Sequence, residues 1–179
     1  DGVALTKLID TDNITVMQAT PSTWRMLSET NWKGNSKLKI LCGGEALPLD
    51  LAKKITELGS EVWNMYGPTE TTIWSSIDKI ESESLSISIG NPIANTSFYV
   101  VNTNNNIVPI GTPGELLIGG KGLSLGYFRR PEITSENFIP DAFSEYKGQR
   151  LYRTGDLVRL TADKKFEYIG RLDHQVKIF

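Results

Sequence analysis

The sequence predicts an α/β layer followed by a β-rich region, and three observations carry that fold class. Short apolar runs alternate with segments of helical periodicity through about residue 66. Helix starts in this half carry their own punctuation, a capping residue or a proline. Beyond Asn91-Pro92 the helical periods give way to hairpin signals.

Taken in order, "ITVMQA" (14–19) predicts a buried strand, and Thr20-Pro21 after it predicts a helix cap with proline at the first helical position. The helix that follows carries Trp24 and Leu27 on one face. "LKILC" (38–42) predicts a second strand and "GGEALP" a loop. Pro48 then opens a helix whose Leu51, Ile55 and Leu58 repeat at helical spacing until Gly59 closes it. "EVWNMY" (61–66) predicts a third strand, so "NMYGPTETTIW" (64–74) runs off a strand end, where open α/β sheets bind ligands. In the second half, "SFYVVNTNNNIVPIG" predicts two strands around an Asn-rich turn, and "GELLIGG" a third. One helix is predicted from Pro131 to Phe138. "LYRTGDLVRLTADKKFEYIGR" predicts a hairpin with Val158 and Leu160 facing Phe166 and Tyr168. The expected boundary divides the chain into 1–92 and 93–179, the latter a β-rich barrel or sandwich.

Charge narrows the function classes. Lys and Arg number 19 against 21 Asp and Glu, with no long run of one sign, which argues against a nucleic-acid partner. No apolar stretch reaches the roughly 18 residues of a membrane span, and no basic-then-apolar leader opens the chain. One cysteine, Cys42, and one histidine, His174, cannot build a Cys/His metal cluster or an internal disulfide; a soluble, cytoplasmic protein is expected. Cys42, at the end of an apolar run, reads as an inert core thiol. The chain opens and stops without tail-like composition and reads as a piece of something longer.

The polar stretches admit two readings each. Glu70, in a Gly-Pro-Thr-Glu turn, is either a capping acid or a carboxylate for Mg²⁺, an ion that takes one or two carboxylates beside substrate phosphates. Thr69, Thr71 and Thr72 supply hydroxyls suited to phosphate. Tyr66 is either core or a platform for a base. Asp156 in "YRTGDLVR" is either a turn residue or an acceptor for ribose hydroxyls. "GRLDHQVK" offers Arg171, Asp173 and Lys177 as a hinge or a solvated surface, and "CGGEA" offers Gly43 and Gly44 as a turn or as a place where backbone approaches a flat ligand.

In their order along the chain, "YGPTE", "GELLIGGKGLSLGYFRRPEITSENF", "YRTGDLVR" and "YIGRLDHQVK" resemble four successive motifs of the adenylation domains of nonribosomal peptide synthetases. These domains belong to the adenylate-forming superfamily, with the acyl-CoA synthetases. The resemblance covers essentially the whole chain from "ITVMQATPSTW" onward. It implies the end of a flavodoxin-like α/β layer, carrying acyl pocket and adenine site, then a β-barrel subdomain that ends at a hinge to a C-terminal subdomain outside the chain. It implies that an amino acid reacts with ATP to give an aminoacyl-adenylate and pyrophosphate, and that the acyl group then passes to a phosphopantetheine thiol on a carrier protein.

By the same resemblance, Asn64 bonds the adenine amino group, Tyr66 stacks on the ring, and Gly43 and Gly44 lie beside it. Thr69 and Glu70 serve the α-phosphate and Mg²⁺, with Glu70 the metal ligand. Asp156 holds the ribose, Tyr168 and Arg171 border ribose and phosphates, and Asp173 is the hinge. The family's phosphate loop, amine-gripping Asp and catalytic Lys have no counterpart in this chain, which is expected to be inactive alone. Gln18, Leu41, Gly43, Met65, Ile73 and Trp74 fall on acyl-pocket positions, and their bulk resembles glycine-activating domains, with alanine as runner-up. Carrier and condensation domains are the implied partners. An acyl-CoA or aryl-acid ligase, or a non-catalytic scaffold, is the alternative.

Overall fold

The structure is a computed structural model that describes residues 1–172. The chain divides into two compact units, the first Asp1–Met65 with Ile77–Ser88, the second Tyr66–Ser76 with the chain from Ile89 onward.

The first unit opens with α1 (Gly2–Thr11), an element not among those predicted. Asp1 caps it by accepting from Val3 N at 3.0 Å, and Ile9 on its inner face is buried. Strand β1 (Val16–Ala19) follows, then α2 (Pro21–Ser28), capped by Thr20 with Pro21 at its first position as expected. Trp24 and Leu27 lose all exposure, and Trp24 Nε1 donates to Leu41 O at 3.2 Å, so the indole is both buried and satisfied. That bond ties α2 to β2 (Lys39–Gly43). After Pro48 comes α3 (Leu49–Thr56), which buries Leu51 and Ile55 as its spacing requires, then β3 (Glu61–Tyr66) and β4 (Ser76–Ile80). The strands lie in the order β1-β2-β3-β4, and β1-β2 and β2-β3 are parallel. The helical crossovers Pro21–Ser28 and Leu49–Thr56 are what parallel pairing demands. One core gathers Ile9, Trp24, Leu27, Ile40, Ile55 and Val62.

The second unit holds the short β5 (Asn91–Pro92), β6 (Thr96–Val101), β7 (Gly114–Gly120), α4 (Pro131–Asn137), β8 (Phe138–Pro140), β9 (Arg150–Leu160) and β10 (Phe166–Arg171). Its antiparallel sheet runs β10-β9-β7-β6, with β8 also on β9. Phe166 pairs with Leu160 and Tyr168 with Val158, the facing that the alternation predicts. The hairpin expected over 97–111 forms only near its turn. Asn102 Oδ1 accepts from Asn104 N (2.9 Å) and Asn106 N (3.0 Å) and folds the Asn run into a turn, after which Asn102 N to Asn106 O (2.9 Å), a Val101–Ile107 bridge and Val108 N to Val100 O (3.0 Å) bring the chain back along β6. Pro109 has no N–H to extend that ladder, and β6 pairs with β7 on its other edge.

Candidate functional site

The turn after β3 is built around one glycine. A Cβ on Gly67 would lie 2.4 Å from Ile73 O, so no other residue fits. Thr69–Thr71 forms a single 3-10 turn, closed by Thr71 N to Pro68 O at 3.1 Å and by the paired hydroxyls of Thr71 and Ser75 at 2.6 Å. Thr72 (φ 63°) and Ile73 (φ 70°) then take left-handed backbone, which costs a β-branched residue roughly 1–3 kcal/mol. Three bonds hold this strain: Thr72 Oγ1 to Gly122 O (2.7 Å), Trp74 N to Thr72 O (2.8 Å) and Ser75 N to Tyr66 O (2.8 Å). The result presents Ile73 to solvent, 61% exposed, and leaves Trp74 half-buried.

A second cluster joins three predicted residues. The β10–β9 register sets Arg171 opposite Asp156, and Arg171 Nη1 donates to Asp156 Oδ1 at 3.0 Å and to Thr154 O at 2.9 Å. The Tyr66 hydroxyl donates to Asp156 Oδ2. Asp156 is 7% exposed, so this charge is buried in company, as a carboxylate in low dielectric must be. Burial, and then the charge of Asp156, push the Tyr66 phenol well above its ordinary range. The Tyr66 ring meets Phe98 edge-on at 6.4 Å, and Tyr168 packs on the same apolar cluster.

A third cluster surrounds Glu70. Tyr127 Oη donates to Glu70 Oε1 at 2.6 Å, and the Tyr127 ring packs edge-on against Phe138 at 5.8 Å. Tyr152 is drawn in as well: burial, then hydrogen bonding with Tyr127 and the charge of Glu70, raise its phenol. Burial and the Glu70 bond raise Tyr127 too. Glu70, Tyr127, Tyr152, Arg153 and Arg171 line a cavity of about 600 Å³. Among the described residues no three His, Cys, Asp or Glu group as a metal cage. Glu70 still fits Mg²⁺, because that ion is commonly held by one carboxylate and completed by phosphate oxygens and water. Thr69, one residue before it, is exposed.

The remaining predicted residues belong to the first unit. Adjacent parallel strands set Gln18 beside Leu41 and Gly43 beside Met65; Gln18 is exposed, and Leu41 and Met65 are half-buried. Gly44 has φ 97°, a conformation natural only to glycine. Asn64 is 4% exposed, and its Nδ2 donates to Ser88 O at 2.7 Å, which fixes the carboxamide and makes its oxygen the acceptor end. Cys42 is buried, and burial pushes its thiol up to about 12. Asp173, His174 and Lys177 lie outside the described residues. The sequence reading missed Tyr127 and Tyr152 as site residues, although "SLGYFRRPE" and "LYRTGD" contain them.

With that geometry, the sequence model described as AMP-binding enzyme matches residues 1–128. The chain belongs to the AMP-binding enzyme family. Within that family it is 46% identical over 176 residues to a dimodular nonribosomal peptide synthase of Bacillus subtilis (strain 168), covering 98% of this chain and 7% of that protein. A crystal structure of a four-domain nonribosomal peptide synthetase in holo form, bound to AMP and glycine, superposes with a TM-score of 0.91 at 47% identity, over 99% of this chain and 13% of that one. The N-terminal subdomain of Klebsiella oxytoca NpsA, in complex with 3-hydroxybenzoyl-AMSN, gives 0.82 at 28% identity, over 96% of this chain and 45% of that one. This chain therefore spans a small fraction of the peptide synthetases it matches, 7% and 13% of the two above. No helix among its described residues is long and apolar enough to cross a membrane.

Proposed function

We propose that the protein containing this chain activates an amino acid, glycine before alanine, for nonribosomal peptide synthesis. A carboxylate oxygen of the amino acid attacks the α-phosphorus of ATP, the bond to pyrophosphate breaks, and aminoacyl-AMP forms. The phosphopantetheine thiol of a carrier domain then takes the acyl group as a thioester, releasing AMP and a proton, and a condensation domain uses the product. The observation that carries this reading is the likeness, over 99% of the chain, to a synthetase solved with AMP and glycine.

The residue roles follow the chemistry of each cluster. In the second unit Glu70 holds Mg²⁺ with Thr69 beside it at the α-phosphate; when bound, the ion neutralises phosphate charge as it builds. Asp156 accepts from ribose hydroxyls, oriented by Tyr66 and Arg171, which hold its two oxygens. Tyr66 and Tyr168 offer aromatic surface, and Arg171 offers charge to phosphate. Ile73 and Trp74 limit the amino-acid side chain. In the first unit Asn64 accepts from the adenine amino group, Gly43 and Gly44 admit the ring, and Gln18, Leu41 and Met65 wall off bulk. Asp173 is the hinge. The layering is read as flavodoxin-like over 1–92 and as a barrel over 93–179. Such a reaction needs positioning and charge neutralisation more than a protein nucleophile.

A pyrophosphate-exchange screen of the full-length protein against all amino acids and several aryl acids tests this. Glycine should give the highest exchange. Highest exchange with an aryl acid would favour the aryl-acid ligase reading, which the likeness to NpsA with its 3-hydroxybenzoyl ligand keeps in view. No exchange with any acid would favour a scaffold.

A further inference from the structure

We propose that Tyr127 is the positioning residue for Glu70, fixing one carboxylate oxygen so that the other is presented for Mg²⁺. This rests on the reading of Glu70 as the metal-holding carboxylate.

Glu70 sits in a one-turn 3-10 segment next to two strained residues, and its side chain has three rotatable bonds. Left alone, such a carboxylate would sample several rotamers, and an ion that demands near-octahedral geometry would bear the cost of ordering it. With the Tyr152 hydroxyl also drawn to the same carboxylate, Tyr127 removes most of that freedom. Its hydroxyl donates to Oε1 at 2.6 Å, at the short end for a neutral donor on a charged acceptor. Its ring is held against Phe138, and its backbone N accepts no drift because it donates to Thr134 Oγ1 at 2.9 Å. The same loop is anchored to the Glu70 backbone through Ser124 N to Glu70 O at 2.8 Å. Gly126, at φ 139° and with its would-be Cβ 2.3 Å from Thr134 Cγ2, lets the loop turn tightly enough to bring the phenol in. Carboxylates that ligate metals are commonly hydrogen-bonded in turn by such outer partners.

The test uses the intact protein and a binding readout. Affinity for α,β-methylene-ATP, whose scissile bond is blocked, is measured by calorimetry with and without Mg²⁺ for wild type, Tyr127→Phe, Glu70→Gln and the double variant. Tyr127→Phe keeps the ring on Phe138, and thermal denaturation confirms that it folds. Its Mg²⁺-linked gain in affinity should fall about tenfold, with Mg²⁺-free affinity unchanged. Glu70→Gln should abolish the gain, and adding Tyr127→Phe should change nothing more, since the two residues act as one unit. A wild-type gain in Tyr127→Phe alongside a lost gain in Glu70→Gln would overturn the positioning role while leaving the reading of Glu70 intact. A full gain in Glu70→Gln would overturn that reading, and the positioning role with it.

Discussion

The hydroxyl of Tyr66 donates to the carboxylate of Asp156, 90 positions away in the sequence, and Arg171 Nη1 holds the other oxygen at 3.0 Å. The pair has a pH signature. Burial and the Asp156 charge raise the Tyr66 phenol, whereas in the unfolded chain it titrates near the usual value of about 10. Below that pH both states are protonated and the stabilisation is complete. As pH rises past about 10 the unfolded state loses its proton first, and stability falls until the folded phenol also titrates. Thermal denaturation of the intact protein from pH 7 to 11 should show a fall beginning near pH 10. Tyr66→Phe should flatten that fall in part, since Tyr127 and Tyr152 are raised as well. At pH 7 the same variant should be less stable by about 1.5–3 kcal/mol, the worth of a hydrogen bond to a charged group.

Removing Asp156 tests a different property. Two ribose hydrogen bonds act equally in ground and transition states, so Asp156→Ala in the intact protein should raise the ATP requirement more than it lowers the maximal rate. Steady-state kinetics with ATP varied checks this. An equal fall in kcat and kcat/KM would assign Asp156 to the chemical step.

Glu70→Gln should behave in the opposite way. It keeps size and hydrogen-bonding capacity but loses the charge that holds the ion, so adenylation should drop by about 10²-fold while ATP binding without Mg²⁺ stays near normal. Near-normal pyrophosphate exchange at low Mg²⁺ would return Glu70 to the role of a capping acid.

Cys42 should not react in the native protein. It is fully buried and its thiol is pushed up to about 12, so the nucleophilic thiolate is scarce at pH 8. Iodoacetamide labelling followed by peptide mapping should find Cys42 modified only after denaturation.

The fold was legible where one residue type decides a local outcome. Thr20-Pro21 and Pro48 marked two helix starts, and alternation set Val158 and Leu160 against Tyr168 and Phe166. It was illegible where tertiary pairing decides. The second arm of the Asn-rich hairpin has strand composition, yet it follows β6 only as far as Val108, since Pro109 cannot donate. Strand β4, "SIDKI", is too short and polar to announce itself, and α1 starts at the second residue of the chain, with only the Asp1 cap before it and no proline to mark it. At the candidate site, Glu70 and Asp156 stood out as acids in turns. Tyr127 did not, because its partner lies 57 positions away and nothing local marks the contact.

The amino-acid preference turns on Trp74. Its ring follows two left-handed residues, Thr72 and Ile73, whose strained turn is tied down at Gly122 O, so its position is set by backbone geometry and not by core packing alone. The half-buried ring offers bulk that is not spent on the core. If it is what excludes larger side chains, Trp74→Ala should open room for valine or leucine, while glycine, which cannot fill the void, gains nothing. The loss of a half-buried ring should cost less than the roughly 3–5 kcal/mol of a fully buried one, so the variant should fold. Specificity is a ratio of efficiencies, and each pocket methylene is worth about 1–3 kcal/mol, so the glycine-to-leucine ratio of kcat/KM should fall by at least about tenfold. Measured in the intact protein alongside thermal denaturation, a folded variant with an unchanged ratio would make Trp74 a structural residue and remove the physical basis for preferring glycine.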